Sequence, residues 1–235
     1  MKTAICFTGT GRSIKYTHSN LKKYLINSIG DCDVFMWIAE TPYAKDVNKY
    51  MMDVPQLKKF VVEKDLEYDM TRYNWNPLWP PPRTSPQTYI RMIKSRERCG
   101  DILSEYELEN NISYDRVIFS RLDVKYFDDV SQHINGLDLE CLYVPDFHNN
   151  FNGQLNGCND RFALSSKKNM DIYFKVSQGI EEYCDLGNFV QGEIVLLWHL
   201  LNNNLSLRKI PVRFTRVRPD GEEIDIRLKN GPLET

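Results

Sequence analysis

Short apolar runs separated by longer amphipathic stretches form the main pattern along the chain. The apolar runs cover residues 4–7, 33–38, 57–62, 117–120, 142–144, 162–164 and 205–210. Short runs bounded by turn residues predict buried strands. Stretches with apolar residues three or four positions apart predict helices over residues 13–27, 44–52, 85–107, 168–183 and 190–202. This alternation predicts an α/β fold whose mostly parallel central sheet is flanked by helices.

The segment of residues 68–86 departs from this alternation. It contains Trp75, Trp79 and a dense group of prolines, which exclude a regular helix or a central strand. Two interpretations remain open: a functional loop or lid, or a surface excursion packed by its own aromatic rings. Because we find no linker, internal repeat or low-complexity tract, the sequence predicts a single domain over residues 1–235.

Composition disfavours some classes of binding partner. The formal net charge of the 235 residues is −2, and no dense run of Lys and Arg occurs, so nucleic acid and anionic membranes are disfavoured. The apolar run at 194–201 is too short for a membrane span, which needs about 20 apolar residues. The N-terminal apolar stretch is too short for a secretory signal. We therefore expect a soluble cytoplasmic protein whose six well-separated cysteines are free thiols.

Polar residues follow several of the predicted strands. In open parallel sheets, ligands bind beyond the carboxyl ends of the strands. The residues placed there are Thr8, Gly9, Thr10, Gly11 and Arg12 after the first strand, Arg121 and Asp123 after the fourth, and Asp146 after the fifth. We therefore expect a ligand site at one edge of the sheet.

The glycine loop after the first strand favours phosphate binding. It lacks the third glycine of a dinucleotide-binding fingerprint and the Lys of a P-loop, so both of those sites are disfavoured. Its backbone N–H groups and the guanidinium of Arg12 remain as donors to a phosphate. The alternative is a plain turn between strand and helix, with Arg12 in solvent.

Arg121 and Asp123 are two positions apart at a strand end, so their side chains point to the same side. The Asp123 carboxylate is suited to Mg²⁺ or Mn²⁺, which would in turn hold a diphosphate. Arg121 would neutralise phosphate charge or pair with the carboxylate. The alternative is a structural ion pair that caps the strand.

Further candidates lie in the second half of the chain. Asn159, Asp160 and Arg161 enter a predicted strand beside the site and suit recognition of an acceptor hydroxyl. Glu193 lies at a predicted helix start, where the helix dipole stabilises a carboxylate. It is equally a candidate general base that deprotonates a hydroxyl.

Aromatic and histidine residues complete the candidate set. Trp75 and Trp79 lie on the proline-rich segment, and His148 would line the site beyond Asp146. His199 lies in an apolar helix and is expected to be a packed core residue. We find no histidine pair spaced as metal ligands.

Several segments occur together in an order that resembles a known family. They are residues 4–12 (AICFTGTGR), 114–123 (YDRVIFSRLD), 159–164 (NDRFAL), 191–193 (QGE) and 216–218 (RVR). Together they resemble small GT-A-type glycosyltransferases, including those encoded by large DNA viruses of algae and protists. For a viral enzyme, the expected location is the host cytoplasm.

The resemblance implies a Rossmann-like GT-A fold, a nucleotide-sugar donor and a glycan or glycoprotein acceptor. It implies that Asp123 is the metal ligand, for Mn²⁺ or Mg²⁺, in a variant of the Asp-x-Asp motif. The loop at 9–12 and Arg218 would bind the nucleotide donor. Residues 159–162 would form the acceptor-side strand, and residues 191–193 would supply the base. Trp75 and Trp79 would give a flat apolar surface for a sugar ring.

Two questions stay open at this stage. Arg121 replaces the first acid of Asp-x-Asp, which leaves metal dependence undecided, and Glu193, Asp160 and Asp146 compete for the role of base. Two other function classes also remain: a non-catalytic module that binds nucleotide or sugar, and a phosphoryl or sulfuryl transferase. The second of these predicts a Lys in the first loop, where only Arg12 occurs.

Overall fold

The strands of the protein follow the predicted apolar runs. The computed structural model describes residues 1–75, 85–148 and 157–224. The strands in these residues are β1 (Thr3–Gly9), β2 (Cys32–Ala39), β3 (Leu57–Glu63), β4 (Arg116–Arg121), β5 (Val124–Tyr126), β6 (Cys141–Pro145), β7 (Phe162–Ser166), β8 (Ser206–Ile210) and β9 (Phe214–Arg216). Each of the seven predicted strands is confirmed, whereas β5 and β9 were not predicted because three-residue strands leave no pattern.

The helices also lie close to their predicted positions. They are α1 (Ile14–Asn20), α2 (Asn27–Ile29), α3 (Ala44–Met51), α4 (Pro86–Asn110), α5 (Ser131–Ile134), α6 (Lys167–Phe174), α7 (Ile180–Asp185) and α8 (Gly192–Asn202). A π-helical stretch, Leu21–Ile26, joins α1 to α2, and 3₁₀ turns cover Met70–Arg72 and Lys175–Gly179. The short helix α5 was not predicted.

The prediction of one continuous helix over 168–183 was wrong. The chain forms α6, a 3₁₀ turn and α7 in this region. At Gly179 a Cβ atom would lie 2.8 Å from His199 Nδ1, so α8 crosses very close to the backbone there. His199 is buried, as predicted, and its Nε2 lies 2.9 Å from the Ile172 carbonyl oxygen.

Strand order confirms the α/β class and places the ends of the strands. In the described residues, the larger sheet has the order β3-β2-β1-β4-β7-β6-β8, and β5 and β9 form a small second sheet. In the larger sheet, strand β7 is antiparallel to β4 and β6, while the other neighbouring strands of that sheet are parallel. The carboxyl ends of six strands lie at the same end of the sheet, which we call the carboxyl rim; these strands are β1, β2, β3, β4, β6 and β8. Because β7 is reversed, its first residue lies at this rim, opposite Ser120 of β4.

Core side chains lie on both faces of the sheet. Alternation along β1 sends Ala4 and Cys6 to one face and Ile5 and Phe7 to the other. The first face packs against α4, α6 and α8, and the second packs against α1 and α3. Because helices cover both faces of the sheet, the central strands are buried on both sides, and their sequences are therefore nearly continuous apolar runs.

Helix α4 begins and ends with strong local signals. The Ser85 side chain accepts a hydrogen bond from the Thr88 backbone N–H, and Pro86 occupies the first turn. The helix ends at Asn110, and the residue that caps it, Asn111, has a left-handed backbone conformation with φ of 49°. These signals fix the register of the helix, and thereby decide which of its side chains face the sheet.

The described residues bear on the prediction of no membrane span and leave the domain assignment untested. None of the helices in the described ranges has the length and apolar character that a membrane crossing requires. The assignment of residues 1–235 to one domain stays a prediction, since 76–84, 149–156 and 225–235 lie outside the described residues.

We expect Gly100→Ala to destabilise the protein although alanine favours helix. The new Cβ would lie 2.8 Å from Phe174 Cβ, so α4 and α6 would have to separate. The free energy of unfolding in urea should fall by about 1–2 kcal/mol. The control Leu108→Ala, at a site on the same helix that is 85% exposed, should change it by less than about 0.5 kcal/mol. An unchanged or raised stability of Gly100→Ala would contradict this close packing.

Candidate active site

The glycine loop after β1 is held in a conformation that requires glycine. Gly9 has φ of 143° and Gly11 has φ of 72°. A Cβ on Gly11 would lie 2.2 Å from Val47 Cγ2, so this position also needs the space. The Thr10 carbonyl accepts a hydrogen bond of 3.1 Å from Thr41 Oγ1, which attaches the loop to the segment after β2.

The polar side chains of this loop have different environments. Thr8 is buried near the end of β1 and pairs in register with Arg121 of β4. Arg12 is exposed, and its Nε donates to Thr10 Oγ1 at 3.1 Å. The glycine loop and the end of β4 are therefore neighbours at the carboxyl rim, as predicted.

Arg121 and Asp123 form a two-point ion pair at the end of β4. Arg121 Nε donates to Asp123 Oδ1 at 2.9 Å, and Nη2 donates to Oδ2 at 2.6 Å. Burial acts to raise the pKa of Asp123, but the charges of Arg121 and Arg161 outweigh it and lower that pKa. The carboxylate thus stays ionised, and both of its oxygen atoms already have a partner.

The segment entering β7 is attached to both neighbouring strands. Asn159 is fully buried, donates from Nδ2 to the Phe147 carbonyl at 3.0 Å, and accepts from the Arg161 backbone N–H at 2.9 Å. The Arg161 carbonyl accepts from the Arg121 N–H at 3.1 Å. These bonds hold Asn159 as a structural residue, and they place Asp160 and Arg161 beside the Arg121–Asp123 pair.

Asp160 is a buried carboxylate surrounded by positive charge. Arg161 Nη1 lies 3.3 Å from its Oδ1, and Arg96 Nη2 lies 3.8 Å from its Oδ2. Burial acts to raise the pKa of Asp160, but Arg161, Arg121 and Arg96 together lower it. A carboxylate held so firmly ionised is a weak proton acceptor.

Arg96 is the functional residue that the sequence interpretation missed. It is only 1% exposed, and its guanidinium lies over the rings of Phe119 and Tyr173 at 5.1 and 4.8 Å from their centroids. Its Nη2 donates to the Asp160 carbonyl at 3.2 Å. The available signal was its position three residues after Ile93, on the apolar face of α4.

Glu193 lies in the first turn of α8 and completes the group. Its Oε1 is 3.4 Å from Arg161 Nη2. Its carbonyl accepts from the Cys158 N–H at 3.0 Å, and a Cβ on Gly157 would lie 2.7 Å from Glu193 Cβ. The start of α8 therefore packs directly on the segment that enters β7. We call Arg96, Arg121, Asp123, Asp160, Arg161 and Glu193 the charged cluster.

Trp75 lies near the start of α8. Its ring is 6.1 Å from that of Tyr89, whose hydroxyl lies 3.5 Å from the Gly192 carbonyl. A backbone bridge to Val190 fixes the strand-like segment that bears Trp75. The predicted partner Trp79 lies outside the described residues.

The segment after β9 connects the glycine loop to the end of β4. The Val217 N–H donates to the Asp123 carbonyl at 2.8 Å, and the Val217 carbonyl accepts from Ser13 Oγ at 2.6 Å. Val217 therefore joins the end of β4 to the residue after the glycine loop, and Arg218 directly follows it in the chain. This proximity was not deducible from spacing, because the contact joins residues 204 positions apart.

Asp146 and His148 have partners away from the charged cluster. Asp146 forms an ion pair with Arg213, with Oδ1 2.7 Å from Nη1. His148 has φ of 54°, and its ring lies 5.1 Å from that of Phe147. The Phe147 carbonyl links this turn to Asn159, so the turn supports the rim while Asp146 itself is neutralised.

The donor set does not fit a divalent cation. Among the described residues, no three His, Cys, Asp or Glu side chains lie close enough to hold a metal. Of the ranges outside the described residues, 76–84 and 149–156 contain none of these four residue types, and 225–235 contains Asp225 and Glu234. Asp123, the predicted ligand, is engaged by Arg121 at both oxygen atoms. Metal dependence stays a prediction, and no step below depends on a metal.

A separate cavity of about 550 Å³ lies between the end of β3 and the other side of α4. Four of its charged side chains form two ion pairs: Arg98 with Glu63, and Lys94 with Glu97. None of the predicted site residues lines it. Helix α4 therefore presents Arg96 to the charged cluster and Arg98 to this cavity.

Comparison with known families places the chain in an uncharacterised group. The family described as "Domain of unknown function (DUF7796)" matches residues 1–175 of the 235, and the chain belongs to this family. Among curated proteins, no match was found.

Two solved structures of the glycosyltransferase GlyE from Streptococcus pneumoniae TIGR4 are similar to this chain. The apo form has 15% identity and a TM-score of 0.47, covering 89% of this chain and 45% of that chain. The second has 16% identity and a TM-score of 0.43, covering 88% and 45%. This chain thus spans less than half the length of those chains. At such low identity and TM-score, the likeness assigns no activity.

We expect Arg96→Met to be strongly destabilising. The methionine fills much of the same apolar space, but it leaves a buried carboxylate at Asp160 with one guanidinium fewer. The free energy of unfolding should fall by about 3 kcal/mol. The matched control is Arg98→Met on the same helix, where the side chain is 39% exposed and the expected loss is about 1 kcal/mol or less. Equal losses in urea unfolding would show that the Arg96 charge has no special structural weight.

Proposed function

We propose that this protein is a glycosyltransferase that moves a sugar from a nucleotide-diphosphate sugar to a hydroxyl of a glycan or glycoprotein. The observation that carries this proposal is the convergence of three features at the carboxyl rim: the glycine loop, the charged cluster and the start of α8. The first suits a diphosphate, and the others suit a hydroxyl and its proton. The sequence resemblance to GT-A-type enzymes supports the same assignment.

The donor is expected at the glycine loop. Gly9 and Gly11 let the backbone approach the diphosphate closely, and Arg12 and Arg218 lie next to the loop to bind phosphate oxygen. The sugar would then extend from the loop towards the charged cluster. The flat ring of Trp75 near Gly192 offers an apolar surface for a sugar of the donor or acceptor.

Glu193 is the strongest candidate for the base among the three predicted carboxylates. Asp160 is buried, and three guanidinium groups lower its pKa. Asp146 is ion-paired with Arg213. Glu193 has a side chain 29% exposed and one ion-pair contact, at 3.4 Å, so an incoming hydroxyl can reach its carboxylate.

The reaction is a direct displacement at the anomeric carbon. The acceptor oxygen forms a bond to this carbon and passes its proton to Glu193. The bond from the carbon to the diphosphate oxygen breaks, and the electron pair leaves with the nucleoside diphosphate. Arg161 holds the Glu193 carboxylate in place by an ion pair. Asp160 forms an ion pair with Arg161, and Arg96 forms one with Asp160, so both support Arg161.

The proposal is tested by incubating the purified chain with a panel of nucleotide sugars and measuring nucleoside diphosphate release. Release from one donor class, increased by a suitable acceptor, supports a transferase. Binding of donors in thermal-shift measurements without any release favours the non-catalytic module instead. Absence of both binding and release for every donor rejects the donor site.

Glu193→Gln should lower nucleoside diphosphate release by roughly 10²- to 10⁴-fold, because the amide cannot accept the proton. Donor affinity, measured by calorimetry, should change by less than about threefold, since Glu193 does not lie at the glycine loop. The matched control is Glu182→Gln, at an exposed position on α7, which should keep full activity. Retention of activity in Glu193→Gln would remove this residue from the base role.

A further inference from the structure

The Asp123 carboxylate is poorly placed to receive a metal. Each oxygen atom accepts a charged hydrogen bond from Arg121, at 2.9 and 2.6 Å. A divalent ion would have to displace this guanidinium, and no group of three His, Cys, Asp or Glu side chains among the described residues could hold it there. The positive charge that a metal would bring to Asp123 is already provided by Arg121.

The charges of the cluster balance one another. Arg96, Arg121 and Arg161 face Asp123, Asp160 and Glu193, three positive charges against three negative ones. Arg12 and Arg218 are the chain neighbours of Ser13 and Val217, and Val217 bonds to the Asp123 carbonyl. Within the described ranges neither arginine takes part in an ion pair. Their two positive charges equal that of one divalent cation.

A single segment positions these two arginines. Val217 bonds through its N–H to the Asp123 carbonyl and through its carbonyl to Ser13 Oγ. Arg218 directly follows Val217, and Arg12 directly precedes Ser13. Arg218 is half-buried, and its Nε has no hydrogen-bond partner within the part of the chain that the structure describes. A buried guanidinium donor without a partner suits an anion as its ligand.

We propose that the donor diphosphate is bound by Arg12 and Arg218 without a divalent cation, while the Arg121–Asp123 pair occupies the place of the metal. This inference rests on the proposed function. When the sugar leaves, the diphosphate oxygen takes the electron pair of the broken bond. The guanidinium N–H groups stabilise the new charge by hydrogen bonds and transfer no proton.

The first test uses inorganic pyrophosphate as the probe on the full chain in EDTA. Calorimetry should show binding without metal, and Arg12→Ala or Arg218→Ala should each weaken it about tenfold, as expected for loss of a charged hydrogen bond. Arg208→Ala, on the exposed edge strand β8, removes the same charge elsewhere and should leave affinity unchanged. Equal effects of all three variants would reveal unspecific attraction and overturn the inference.

The variant Asp123→Asn distinguishes binding of the diphosphate by arginine from binding through a metal at Asp123. If Arg121 provides the charge, removing its partner frees a guanidinium, so pyrophosphate should bind in EDTA as tightly or more tightly. If Asp123 holds a metal, the same change should abolish any increase in affinity caused by Mn²⁺. Circular dichroism verifies that each variant is folded, and the variants at Arg12 and Arg218 keep the test valid if Asp123→Asn unfolds.

Nucleoside diphosphate release from the active donor distinguishes failure of this inference from failure of the proposed function. Equal rates in EDTA and in Mn²⁺ support arginine binding of the diphosphate. Release only in Mn²⁺ or Mg²⁺ overturns the inference and leaves the glycosyltransferase proposal standing. Pyrophosphate binding in EDTA with no release from any donor supports the anion site and rejects the transferase.

Discussion

The guanidinium of Arg96 lies inside the apolar core between α4 and the sheet, and the candidate active site depends on how that charge is neutralised. Its contacts are two aromatic rings and Asp160. A buried charge without a partner is very costly, so Asp160 must sit where Arg96 places it. Through Arg161, this constraint extends to Glu193 at the start of α8. Helix packing and site geometry are therefore coupled in this protein.

The reversed strand β7 is the second determinant of the site. In a purely parallel sheet, its first residues would lie at the opposite edge, away from the glycine loop. Reversal brings Asn159, Asp160 and Arg161 to the rim before the strand begins. The site therefore has one wall from residues that leave β1 and β4 and another from residues that enter β7.

The sequence was sufficient for the central strands and for the glycine loop, because apolar runs and turn residues are local signals. It also identified Arg121, Asp123 and Glu193 by their positions at element ends. The sequence did not reveal which side chains these residues contact. Arg96 looks like one more charge in a charged stretch of helix, and only its place on the apolar face distinguishes it. Asp146 resembled a site carboxylate until the distant Arg213 proved to neutralise it.

The bond between Ser13 and Val217 has a consequence for the order of assembly. It joins residues 204 positions apart, so nearly the whole described chain must be synthesised before the glycine loop acquires this support. Contacts between residues far apart in sequence form slowly, because the chain must first close the intervening loop. Ile210, Val212 and Phe214, which are buried in the core with Ile5 and Phe7, come only a few residues before Val217. During translation, the last core residues and the support of the glycine loop therefore become available at the same stage.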